Sequence, residues 1–115
     1  MGKVLPGDSI TANWANYKVD GKDQNRLIQY GSVTGIAIDS TGEKTNSVTF
    51  GTAFDDTPNA IIVTLANPTA TDFDAIVYVK NVSASGFDLV VNVKTASATA
   101  GATVDAYWMA IGKKE

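Results

Sequence analysis

A chain of 115 residues has the size of one domain and is long enough to bury a core without covalent staples. It contains neither cysteine nor histidine, which excludes disulfides, thiolate and imidazole metal sites, Ser-His or Cys-His nucleophile pairs, and any general base with an unperturbed pKa near neutrality. Twelve Asp plus Glu against nine Lys plus Arg leave a net charge of −3, so no basic stripe exists to draw in a phosphate backbone and no nucleic-acid partner is expected.

Only 18% of residues are charged, less than an isolated surface usually carries. That composition suits strands packed against sister chains, and it equally suits a plain all-β bias. No apolar run approaches the ~20 residues of a membrane span, so no membrane insertion is expected. The opening MGKVLPGDSI lacks the basic-then-apolar build of a signal peptide, and a start at Met1-Gly2 leaves room for a longer parent chain.

In chain order, residues 1–26 show no sustained period, because Pro6, Gly7, Asn13, Asn16 and Gly21 interrupt it; they are expected to form an irregular arm or a connection to a longer parent. Trp14 and Tyr17 stand out in that polar segment. They either pin the arm to the body of the domain, anchor it on a neighbouring subunit, or offer a stacking plane to a sugar ring. The body of the domain is expected over residues 27–115. Residues 27–30 and 32–38 read as two short strands divided at Gly31, and residues 39–46 as a long polar loop.

The central stretch follows. Residues 48–50, 60–65, 75–82 and 87–93 are rich in Val, Ile, Phe and Tyr, cut apart by turn residues such as Asp55-Asp56-Thr57-Pro58-Asn59, Asn67-Pro68-Thr69 and Ser83-Ala84-Ser85-Gly86. Gly51 and Phe54 mark a bend with Phe50 and Phe54 both buried, and Pro58 precedes its strand, where a missing N–H costs no ladder bond. Phe87, Leu89, Val91 and Val93 form one clean apolar face, the mark of a central core strand. The last strand, residues 103–111, is apolar on both faces, with Val104, Ala106, Trp108 and Ala110 on one side and Tyr107, Met109 and Ile111 beside Asp105 on the other. Such a strand at an exposed edge invites aggregation, so it is expected to lie centrally or under another chain. With no 3.6-residue period anywhere, the expectation is an all-β antiparallel sandwich of about six to seven strands and essentially no helix.

Carboxylates are the only candidate catalysts. Asp55-Asp56 and Asp72 with Asp74 could hold a cation or form an acid pair, but adjacent acids in turns are ordinarily solvated, and neither a D-x-D-x-D-G loop nor a glycine-rich phosphate loop is present. No enzyme activity, metal or other cofactor is expected. The loops 67–74 and 96–102 are the natural contact surfaces, since Asn67, Thr69, Asp72, Asp74 and the nearby Lys94 offer groups suited to sugar hydroxyls; with Trp14 and Tyr17 they make up the candidate ligand-binding set.

Three segments together carry a resemblance: VTFGTAF with PNAIIVT (48–64), VKNVSASGFDLVV (79–91) and YWMAIG (107–112), preceded by Gln29-Tyr30-Gly31. Their order resembles the H-type lectin-like β-sandwich and the related C-terminal domains of bacteriophage tail fibre and receptor-binding proteins, over residues 27–112. The resemblance implies a homotrimer on the virion surface or tail, a non-catalytic receptor-binding or carbohydrate-binding role, and a host-surface glycan or protein as partner; a structural trimerisation or virion decoration domain is the alternative. The lectins' N-acetylgalactosamine site does not carry over. Lys94-Thr95 stand where that family has its stacking Trp-His pair, Asp74 where it has a sugar-contacting Arg, and Ala37 and Asp39 near its Gly and Asp loop.

Overall fold

The computed structural model describes the backbone of residues 14–19 and 22–115, with side chains from residue 25 onward. Seven strands run in chain order: β1 Trp14–Val19, β2 Lys22–Ala37, β3 Gly42–Thr49, β4 Ala60–Ala66, β5 Asp74–Lys80, β6 Gly86–Thr95 and β7 Thr103–Lys113. They form a four-stranded sheet of order β1-β2-β7-β4 and a three-stranded sheet of order β3-β6-β5, every pair antiparallel. No helix occurs among the described residues. The sheets face each other as a β-sandwich, with the core drawn from β2, β6, β7 and the 50–54 segment.

Alternation explains which side chains reach that core. On β6, Phe87, Leu89, Val91 and Val93 point inward at 3% exposure or less, and β6 is the central strand of its sheet. On β7, Val104, Ala106, Trp108 and Ala110 point inward, and β7 lies between β2 and β4, the central placement its two apolar faces call for. Phe50 and Phe54 are both buried as expected; their rings meet edge to face at 4.8 Å. Phe50 also lies 5.6 Å from Phe87 and 5.7 Å from Trp108, and Phe87 meets Trp108 at 5.5 Å. These four rings join the sheets, because Trp108 belongs to one and Phe87 to the other.

Two glycines are demanded by that cluster. A Cβ at Gly31 would meet the Trp108 ring at 2.9 Å, and one at Gly112 would meet the Phe54 ring at 2.7 Å, so each glycine gives a ring room to lie against backbone. The Gln-Tyr-Gly and Ala-Ile-Gly signatures have this physical origin. Gln29 also clamps the 50–59 connection: its Nε2 donates to the Thr52 carbonyl at 2.7 Å, and the Thr52 N–H donates to its Oε1 at 3.0 Å.

The elements differ from the sequence expectation in three places. Gly31 does not divide two strands; β2 runs through it, because the Trp108 ring covers the site where a side chain is missing. Residues 42–46 are strand rather than loop. β3 is an edge strand whose Glu43, Thr45 and Ser47 face solvent, so pairing with β6 holds it without an apolar pattern to announce it. The segment expected to be irregular contains β1 and the start of β2, paired from Trp14↔Leu27 to Val19↔Lys22; residues 1–13 of that arm lie outside the described residues.

Because Phe50 touches three other rings, Phe50→Ala is expected to cost about 3–5 kcal/mol, read as a lower denaturation midpoint with an unchanged urea m-value. Ile62→Ala, on an exposed side chain, is expected to shift that midpoint far less.

Candidate functional site

The strand order sorts the connections onto two ends of the sandwich. The 50–59 and 81–85 connections share one end with the β1–β2 pair and the C-terminus. There the Phe50 and Phe54 N–H groups donate to the Ser85 and Ala84 carbonyls, the Asp55 N–H donates to the Lys113 carbonyl, and the Lys114 N–H donates to the Asn25 carbonyl. Asp55 accepts from the Glu115 N–H at 2.9 Å and from Lys114 Nζ at 3.4 Å, which together hold its carboxyl below the usual aspartate range. The acids Asp55 and Asp56 therefore sit at the end where the chain terminates.

The 38–41, 67–73 and 96–102 connections gather at the opposite end and are stitched together. The Ile38 N–H donates to the Ala102 carbonyl at 3.0 Å, and the Ser97 N–H donates to the Ile38 carbonyl at 2.8 Å. The Gly101 N–H donates to Asp39 Oδ2 at 2.8 Å. Asp72 ties the 67–73 loop to the 96–102 loop: Ser97 Oγ donates to its Oδ1 at 2.5 Å and the Ala98 N–H to its Oδ2 at 2.9 Å. The Ser97 hydroxyl first, and the Ala98 amide second, favour the ionised form and lower the Asp72 pKa. Thr69 completes the seam; its N–H donates to the Thr103 carbonyl at 2.9 Å and its Oγ1 accepts the Thr103 N–H at 2.8 Å.

Asn67 turns the chain out of β4 with φ 53, a left-handed conformation that asparagine tolerates. Its Nδ2 donates to the Tyr107 hydroxyl at 2.6 Å and to Asp105 Oδ2 at 3.3 Å, while Asp105 Oδ1 accepts the Gly35 N–H at 3.1 Å. Asp74 and Lys94 stand exposed at the start of β5 and near the end of β6, at the same end of the sandwich.

Five of the seven residues singled out in the sequence thus share one end: Asn67, Thr69, Asp72, Asp74 and Lys94. Trp14 and Tyr17 do not join them. Both lie on β1, paired with Leu27 and Gln24 near the start of β2, at the other end; their side chains lie outside those described. Within the group of five the roles differ, since Thr69 and Asp72 spend their polar atoms holding loops together. Sequence reasoning placed Asp105 and Tyr107 on a strand face and missed their joining Asn67, a meeting across 38 and 40 residues that no local pattern marks.

The end therefore presents amides, hydroxyls and carboxylates on loops already fixed in place, an arrangement that can hydrogen-bond polyhydroxylated or polar ligands without ordering the loops first. Among the described residues, no three of His, Cys, Asp and Glu come together as a metal cluster.

Comparison with known proteins places this geometry. The family model described as tail fiber protein gp53-like, C-terminal, matches residues 23–113. No curated protein sequence matches. Among solved structures, the tailspike protein gp49 from Pseudomonas phage LKA1 superposes with a TM-score of 0.61 at 21% identity, over 78% of this chain and 15% of that one. The Pseudomonas phage phi297 tailspike gp61 gives 0.53 at 15% identity, over 76% and 15%. The P. aeruginosa R1 pyocin fiber, residues 323–701, gives 0.55 at 20% identity, over 90% and 27%. The chain spans under a third of each of these, and at such identities the likeness is one of fold.

Asp72→Asn is expected to loosen the loop seam in a pH-dependent way. A lowered folded-state pKa contributes stability above the unfolded value of about 3.9 and loses it as pH falls through the folded value. The difference in thermal midpoint between wild type and D72N should therefore be full at about pH 6 and shrink as pH drops below about 4. A difference constant across that range would show that the carboxylate's ionisation does not hold the seam.

Proposed function

The chain belongs to the gp53-like tail fibre C-terminal family, and from that membership we propose that it is a non-catalytic, receptor-binding domain of a phage or prophage tail. It acts as a homotrimer that presents the stitched loop end to a carbohydrate on the host surface. One observation carries this reading: three polar connections are fixed together at one end of the sandwich, opposite the end that holds the β1–β2 pair. Rigid loops lose little entropy on binding, and three copies on one axis convert weak single contacts into avidity. Asn67, Asp74 and Lys94 are the contact groups on this reading, with Asp105 and Tyr107 beside Asn67; Asp72 and Thr69 hold the platform.

A second reading has its own support. The apolar outer surface of the four-stranded sheet fits a knob that trimerises a fibre and touches no receptor. Adsorption to host cells, or binding to immobilised surface glycan, separates the two.

Saturable binding that free glycan competes away is expected, and Asn67→Ala combined with Lys94→Ala should weaken it by about 5- to 150-fold, since each lost ligand hydrogen bond costs about 0.5–1.5 kcal/mol. The far-UV dichroism of the double variant should match wild type. Absence of any binding by a well-folded oligomer would favour the knob.

A further inference from the structure

The two outer faces of the sandwich differ in character. Over the three-stranded sheet, the outward positions include Glu43, Lys80, Asp88 and Lys94, a surface dressed for water. Over the four-stranded sheet, the outward side chains change along the strands. Towards the β1–β2 end they are apolar, and Ile28, Ile62, Met109 and Ile111 border a hollow of about 90 Å³. Towards the loop end they turn polar. There Tyr107 on β7 is flanked by Ser32 on β2 and Thr64 on β4, all three exposed, with Asp105 one step nearer the loops. Tyr30 stands one step back towards the hollow, opposite Met109, with 67% of its surface exposed.

Hydrogen bonding fixes the groups of this polar corner. Asn67 Nδ2 donates to the Tyr107 hydroxyl at 2.6 Å and to Asp105 Oδ2 at 3.3 Å, so one amide nitrogen sets the spacing of both oxygens. Because the Tyr107 oxygen accepts from Asn67, its own proton is left for an outside acceptor. The Tyr78 hydroxyl on the other sheet, by contrast, spends its proton on Glu43. Asp105 takes one bond on each oxygen, from the Gly35 N–H and from Asn67, and keeps a free lone pair on each. A donor and an acceptor thus stand side by side at fixed distance, next to exposed tyrosine rings. Bonds among exposed groups add little stability, since water competes for each; what they supply here is geometry set before a ligand arrives.

A hexose offers the complement: neighbouring hydroxyls that both donate and accept, and a ring face of C–H groups that packs on an aromatic side chain. We propose that this corner is a subsite for a neutral sugar residue. One sugar hydroxyl donates to Asp105, its neighbour accepts from Tyr107, and the C–H face rests on Tyr30. An apolar partner fits the corner poorly, because it would strip water from the Asp105 carboxylate and the hydroxyls without returning hydrogen bonds. Uronic and sialic acids are excluded by the charge of Asp105; among the described residues, the cations of this face, Arg26 and Lys113, stand at its opposite end. The inference rests on the carbohydrate reading of the proposed function, carries the contact from the loop tips onto the sheet face, and names the class of sugar.

Binding of the full chain to an array of neutral, uronic-acid and sialic-acid glycans tests it, with Tyr107→Phe, Asp105→Asn and Lys94→Ala as variants. Tyr107 is 45% exposed, and far-UV dichroism of every variant should match wild type. Wild type is expected to bind neutral glycans and reject acidic ones. Y107F, which keeps the ring and loses one ligand hydrogen bond, should bind neutral glycans about 2- to 12-fold more weakly. D105N should admit acidic glycans that wild type rejects, a gain that a merely structural role for Asp105 does not give. A wild type that selects acidic glycans would overturn the subsite. So would binding that weakens in K94A while Y107F and D105N behave as wild type, an outcome that leaves the loop-end reading standing. A well-folded wild type that binds no glycan removes both.

Discussion

The contact on which the rest depends is that of Trp108 with Gly31 and with the rings of Phe50 and Phe87. Trp108 lies on the central strand of one sheet, Phe87 on the central strand of the other, and Phe50 begins the connection that crosses between them. Aromatic side chains bury large areas and prefer tilted or edge-on meetings, so this group sets both the spacing of the sheets and their relative placement. It also accounts for two glycines as space rather than as turns: Gly31 lies under the Trp108 ring and Gly112 beside Phe54.

From that seam, strand order does the rest. With β7 between β2 and β4, and β6 between β3 and β5, successive connections fall at alternating ends. One end collects the 50–59 and 81–85 connections with the chain terminus. The other collects three polar loops whose residues hold one another through Asp72, Asp39, Ser97 and Thr69. A platform built in this way is held in one arrangement by its own hydrogen bonds. The two broad faces divide their labour as well: one carries charges and faces water, the other is apolar and bears a hollow.

How legible was this beforehand? The runs at β4 to β7 were clear, because side chains on half-buried strands alternate and the turns between them carry Asn, Pro, Ser and Gly. β3 was not, since an edge strand with Glu43, Thr45 and Ser47 turned to solvent looks like a loop until its partner β6 is in place. β2 looked like two pieces because the gap at Gly31 is filled by the ring of Trp108, which comes from the last strand of the chain and becomes a neighbour only on folding. The candidate residues fared similarly. Asp74 and Lys94 stand exposed at one end, whereas Asn67, Thr69 and Asp72, residues of similar polar chemistry at that end, hydrogen-bond within the fold, to Tyr107 and Asp105, to Thr103, and to Ser97 and Ala98.

What the chain alone determined is its class: local alternation and turn chemistry make antiparallel sheet, and the absence of cysteine and histidine removes whole families of chemistry, because both act through individual residues and their near neighbours. What only the tertiary structure decided is which polar groups meet. Asn67 reaches Tyr107 and Asp105, Asp72 reaches Ser97, and Trp14 and Tyr17 fall at the far end, since those relations follow from strand order and register. Pairing between distant strands is set by how two sheets fit around shared rings, a property of the packed whole that no short stretch of residues contains.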